Sequence, residues 1–199
     1  MLLLLEDMTC QLQYKLLPLP ELCRVVARRI DGPLRSVMRK FAEEMEQQVA
    51  PDAASCMAAA LVSVDSLSGK QRLLCSELGH CLGVYDLMSK RAEALRQEGI
   101  EVKESDVILV ALLHDVAQGN CPEWRQYSGH GRKSRAIVAR YLPEVSEQVL
   151  EAINGHMHFP NPLNPLWNLI SLSDGGLTGD AGKCNKGYVI ISDAETVAL

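Results

Sequence analysis

Aromatic residues are scarce: two Phe, two Trp and five Tyr make up 5% of the 199 residues. Few β-branched runs bounded by turns accompany them, which argues against sheet, while abundant Leu and Ala favour helix. The expected fold class is therefore all-α. Long apolar runs are also missing. MLLLL at the start and VILVALL at 107–113 fall far short of the roughly 20 residues a bilayer requires. Glu6 and Asp7 follow the first run at once, and the charged start and cleavage site of a secretory signal are absent. No transmembrane segment is expected, and the chain reads as cytoplasmic. A dominant charge of one sign is lacking too. The net charge is -5 with acids and bases interspersed, which gives no broad cationic face, so no nucleic acid is expected as a partner. Finally there is no CxxC. The seven cysteines are odd in number and mostly lie in apolar helical patterns, so they read as buried thiols in a reducing compartment.

What is present suffices for a core: 47% of residues are hydrophobic and 23% charged, ordinary for a globular chain. Helical signals recur between short breaks. Leu2 to Lys15 precedes LLPLP, a helix from Pro20 to Ile30 opens on a proline, and DGPL at 31–34 separates it from one reaching about Val49. Asp52 is positioned to cap AASCMAAALVSV, whose alanines permit close packing, and Ser68 to cap a helix through about Leu82. Another amphipathic segment runs from Val84 to Glu98 and ends at Gly99. Glu104 or Ser105 then opens VILVALLHDVAQG, apolar on nearly every side and thus central to a core. Gly129 precedes GRKSRAIVARYL, Pro143 breaks it, Val145 to Met157 resumes, FPNPLNP forces a loop, and a last short helix spans Pro165 to Ser173. GGLTGDAGKCNKG is loop-like, and YVIIS beyond it reads equally as a strand, a frayed helix or a partner-binding tail.

His114 and Asp115 are out of place at the end of so apolar a helix, because an unpaired charge there is costly and a divalent cation is one partner that would offset it. The five histidines are His80, His114, His130, His156 and His158. If the helices of 70–174 form one bundle, the first four come from four elements able to converge at one end, as bundles build metal sites. Asp174, ending the apolar run LISLSD, can close such a site. Histidines with one or two carboxylates suit manganese, iron, zinc or cobalt, and more oxygen ligands favour magnesium.

The segment HCLGVYDLMSKRAEALRQEGIEVKESDVILVALLHDVAQG resembles the start of an HD-domain metal-dependent phosphohydrolase, with the likeness covering about 80–175. It implies a helical bundle of the HD-domain type and a divalent metal ion. It also implies His80, His114, Asp115 and Asp174 as metal ligands, with Asp115 taking part in catalysis. His130 in SGHGRKS and His156 in INGHM stand at the additional histidines that many members use for a second metal or the substrate phosphate, and are the further catalytic candidates. Where relatives often carry Lys after the pair, this chain has Gln118, and Arg132 and Lys133 are the alternative cations for substrate binding. Gly175 and Gly176 follow Asp174 where relatives usually continue a helix, and His158 has no counterpart and is expected at the surface.

The first half resembles a different family. LLEDMTCQLQYKLLPLPELCRVVA, GPLRSVMRKFAEEME, PDAASCMAAAL and LGHCLGVYD are similar to the cytoplasmic helical part of stage III sporulation protein AB, a component of the mother-cell to forespore apparatus. That family normally begins with a membrane segment, not expected here. Both resemblances claim 78–87 and so His80. The expected division is a helical region at 1–78 and the HD-type metal-binding region at 79–199. One implied function is hydrolysis of a small-molecule phosphoester, with nucleotides within that class. The other is a non-catalytic helical component of a sporulation assembly with a partner in that complex.

Overall fold

A computed structural model describes residues 17–117 and 129–177, and these are all helix, turn and loop, with no strand among the described residues. The Leu2–Lys15 helix, the YVIIS segment and Gln118 lie outside the described residues. The described residues divide into two compact units between Gly83 and Val84.

In the first unit, α1 (Leu19–Ala27) starts on the Pro18–Pro20 turn and buries Leu22, Cys23, Val26 and Ala27, a stripe at helical spacing. α2 (Pro33–Glu46) starts after Gly32, whose φ of 73° is the left-handed conformation that glycine adopts without penalty. It buries Val37, Met38, Phe41 and Ala42 against α1. α3 (Ala53–Val62) is capped as its sequence predicts, the Asp52 carboxylate accepting from Ser55 N–H at 2.7 Å. Its small residues allow the close packing expected. A Cβ at Gly79, on the following helix α4 (Gly69–Gln97), would stand 2.5 Å from Met57 Cβ. Arg72 of α4 donates to the carbonyls of Leu61 and Val64 at 2.7 Å each, satisfying the open C-terminal end of α3.

α4 corrects the sequence reading: the segments expected at 68–82 and 84–98 are one helix of 29 residues. Gly79 and Gly83 cost about 1 kcal/mol each in a helix but do not break it as proline would. Its start is a reciprocal cap, with Ser68 N–H donating to Gln71 Oε1 at 2.9 Å and Gln71 N–H to Ser68 Oγ at 3.3 Å. Its end is a Schellman turn: Gly99 (φ 85°) donates to Arg96 O at 3.0 Å and Ile100 to Leu95 O at 2.9 Å.

The second unit is built on the latter part of α4, whose Val84, Met88, Ala92 and Leu95 enter a core with α5 (Glu104–Leu113), α6 (His130–Tyr141), α7 (Glu147–Gly155) and α8 (Pro165–Leu177). α7 is shorter than the expected 145–157, since Ser146 Oγ caps it through Val149 N–H at 3.4 Å and His156 terminates it. α8 is longer than the expected 165–173: it runs through Gly175 and Gly176, so Asp174 lies within a helix. The cysteines Cys23, Cys56, Cys75 and Cys81 are buried, as expected, and burial pushes the Cys23 thiol up to about 12. Cys10, Cys121 and Cys184 lie outside the described residues.

Glu104 ties α5 to α4. It accepts from Tyr85 Oη at 3.0 Å and Ser89 Oγ at 2.9 Å and pairs with Arg96. Burial raises its carboxyl, but the bonds from Arg96, Ser89 and Tyr85 and the Arg96 charge outweigh this and hold it below its ordinary value. A lowered folded-state pKa contributes stability that is present above the unfolded value and lost as pH falls through the folded one. Glu104→Gln is therefore expected to cost about 1–2 kcal/mol at neutral pH. The gap from the wild type in urea unfolding closes as the pH drops below about 4.

Candidate metal centre

The site is assembled at helix ends. α5 stops at His114, so His114 and Asp115 sit in the turn that follows it, and Ala117 N–H donates to Ser134 Oγ of α6 at 3.2 Å, pinning that turn. α6 begins with His130, α7 ends at His156, and Asp174 comes from α8. His114, His130, His156 and Asp174 are all buried.

Two of the imidazoles are oriented by the helices that carry them. His114 Nδ1 lies 2.9 Å from Ala111 O and His156 Nδ1 lies 2.7 Å from Ile153 O. A carbonyl oxygen can only accept, so each Nδ1 carries the proton and, in the neutral ring, Nε2 presents a lone pair inward. Both rings cap helix C-termini, whose partial negative charge favours a cation.

Asp115 Oδ1 lies 3.1 Å from His130 Nε2 and 3.3 Å from His156 Nε2, and the two nitrogens are 2.8 Å apart. Donors bound about 2.0–2.2 Å from one ion sit roughly 3–3.5 Å from each other, so this triangle fits a divalent cation. The other carboxylate oxygen, Oδ2, is 3.5 Å from His114 Nε2. Burial pushes the Asp115 carboxyl up, but with the facing imidazoles protonated the His114 charge and the bonds donated by His130 and His156 prevail and hold it well below the usual carboxylate range. On its other side His114 Nε2 is 4.0 Å from Asp174 Oδ1, while His80 of α4, half-buried, belongs to the first unit. Five of the six expected residues, His114, Asp115, His130, His156 and Asp174, thus come together within the second unit, joined by the adjacent pair His114 and Asp115.

Arg132 and Lys133 are exposed on the first turn of α6, and His158 is exposed as expected. Sequence reasoning missed the residues that set the spacing. A Cβ at Gly131 would lie 2.6 Å from Asn154 O and 3.1 Å from Ile153 O, so only glycine lets the start of α6 approach the end of α7 this closely. A Cβ at Gly155 would lie 2.1 Å from two ring carbons of Trp167, whose indole fills that position beside His156. The signal was in SGHGRKS and INGHM: each histidine has a glycine next to it inside an otherwise helical stretch. Ser173, next to Asp174, accepts from Arg91 of α4 at 3.0 Å.

A helical bundle whose buried histidines and aspartates gather at its helix ends is the architecture of an HD domain, and residues 78–177 match the HD domain family. Residues 1–105 match a second family, Stage III sporulation protein AB (spore_III_AB). The chain belongs to both families, and their matches share 78–105, which includes His80. No curated protein and no solved structure matches it. The HD family is that of metal-dependent phosphohydrolases, and Asp115, His130 and His156 form a donor set suited to divalent metals. No helix of the described residues is long and apolar enough to cross a membrane.

Proposed function

We propose that the chain hydrolyses a small-molecule phosphoester, nucleotides being the first class to test, with His80, His114, Asp115 and Asp174 as metal ligands and Asp115, His130 and His156 as catalytic residues. The observation that carries this is the position of Asp115, whose Oδ2 lies 3.5 Å from His114 Nε2 while its Oδ1 closes a buried triangle with His130 Nε2 and His156 Nε2 with edges of 2.8–3.3 Å. A divalent ion in such a site polarises a phosphoryl oxygen and lowers the pKa of bound water.

The residues divide the remaining work. Asp115 accepts the proton of the attacking water, and His130 and His156, 3.1 and 3.3 Å from its Oδ1, are within reach to relay that proton. His156, fixed through Ile153 O, and His130 deliver a proton to the leaving oxygen, or with Asp115 hold a second ion. Arg132 and Lys133, two and three residues beyond His130, offer positive charge to the substrate phosphate. In this division the functional boundary lies at 78/79, and the compartment is the cytoplasm.

Metal analysis of the purified full-length protein tests the reading, together with hydrolysis of p-nitrophenyl phosphate with and without manganese. One or two equivalents of metal are expected, activity that chelation abolishes and manganese restores, and loss of both in His114→Ala. Wild-type protein that holds no metal and gains no activity from manganese refutes it.

The match of residues 1–105 to Stage III sporulation protein AB favours a second reading, a non-catalytic helical component of a sporulation assembly with a partner there. It predicts a protein that keeps its helical content and stability but neither retains metal nor hydrolyses the phosphoester.

A further inference from the structure

The charged groups of the first unit are unevenly placed. An open cleft of about 510 Å³ is lined by Arg24 and Arg28 of α1 and its C-cap, Arg35 and Arg39 of α2, with Ala27 and Glu43. Four guanidinium groups share one concavity in a chain whose net charge is -5. Two are held by carboxylates: Arg24 pairs with Glu46, and Arg35 pairs with Asp31 while its Nε donates to Ile30 O at 2.7 Å. The wall carboxylate Glu43 has Lys40 Nζ at 3.6 Å. The guanidinium groups of Arg28 and Arg39 are exposed and have no partner among the described residues.

We propose that this cleft binds the polyphosphate moiety of a small molecule, independently of the histidine centre. All the lining cations are arginines, whose planar five-donor forks match phosphate oxygens two at a time. A compact, multiply charged anion can engage several forks at once. An acidic peptide brings one charge per residue and must be ordered to do so. No aromatic ring lines the cleft, and its recognition elements are the charged forks of the four arginines.

Titration calorimetry on the full chain, kept metal-free with EDTA at low salt, separates the sources of that chemistry. Tripolyphosphate and ATP are expected to bind with similar affinity and adenosine not at all. Arg28→Ala with Arg39→Ala is expected to weaken both ligands by about tenfold or more, since one charge-assisted hydrogen bond is worth roughly that factor. Metal content and phosphoester hydrolysis should stay at wild-type levels, and the circular dichroism spectrum of the variant is expected to match that of the wild type, since both changes are at exposed positions. Arg28→Lys with Arg39→Lys, which keeps charge but removes the forks, is expected to fall between. No binding of tripolyphosphate, binding unchanged in the alanine variant, or an octaglutamate peptide binding more tightly than tripolyphosphate each overturns the proposal.

Discussion

Asp115→Asn is expected to empty the metal centre and reduce phosphoester hydrolysis to background while leaving a folded protein. The substitution keeps the shape of the side chain and removes only its charge. Its two oxygens face the three buried histidines of the second unit, at 3.1 and 3.3 Å for His130 and His156 and 3.5 Å for His114. Altering a partner outside the ligand sphere typically costs 10–100-fold in metal affinity, so removing a shared ligand should exceed about 100-fold. The metal-free proteins should differ as well. Breaking a buried ion pair costs about 3–5 kcal/mol, and histidines can relieve part of this by losing protons, which places the loss near 3 kcal/mol. Because the Asp115 carboxyl is held low in the folded state, its contribution is present above the ordinary carboxylate value and disappears only as pH falls through the depressed one. The stability gap should therefore be full at neutral pH and persist into mild acid. Chelated wild type and variant compared by urea unfolding at pH 7 and pH 5 give that test. Metal retained by Asp115→Asn at wild-type stoichiometry would remove Asp115 from the ligand set.

The parts of this centre that could be read in the sequence are those whose chemistry conflicts with their surroundings. A His and an Asp at the end of ESDVILVALL are conspicuous because that helix buries Val107, Ile108, Val110 and Ala111. The caps at Asp52 and Ser68 were equally legible, since each side chain bonds within three residues of itself. What failed was whatever depends on a neighbour distant in the chain. Gly83 reads as a boundary, yet Leu82 and Val84 are both buried, and the packing on either side of it carries α4 through. Gly175 and Gly176 read as the end of a helix that in fact continues past them. The pairing of Asp115 with His130 and His156, rather than with His80 and Asp174 alone, depends on how closely α6 meets α7. That distance is set by the missing side chain of Gly131, which carries no chemical signal of its own.

Gly155→Ala should therefore damage the centre although it touches no ligand atom. The new methyl would lie 2.1 Å from the Cε2 and Cζ2 carbons of Trp167, a rigid ring whose neighbours Leu166, Leu169 and Ile170 are core residues. Either the indole or the end of α7 must move. Overpacking of this kind costs about 1–3 kcal/mol and sometimes more, and a flat ring that cannot rotate out of the way places it at the upper end. For a chain of this size about 3 kcal/mol corresponds to a fall in Tm of roughly 6–12 °C. His156 follows the substituted residue directly, so a shift at the end of α7 opens the 2.8–3.3 Å triangle and should lower metal affinity at least about tenfold, as small misplacements of positioned groups do. Trp167→Leu makes the cause testable. By itself it removes buried ring and should cost about 2–4 kcal/mol. Combined with Gly155→Ala it vacates the space the methyl needs, so the double variant should be about 2 kcal/mol more stable than the sum of the singles predicts and should regain metal. A Gly155→Ala protein with wild-type metal content, or a double variant with no recovery of metal, would show that the contact with Trp167 does not position His156.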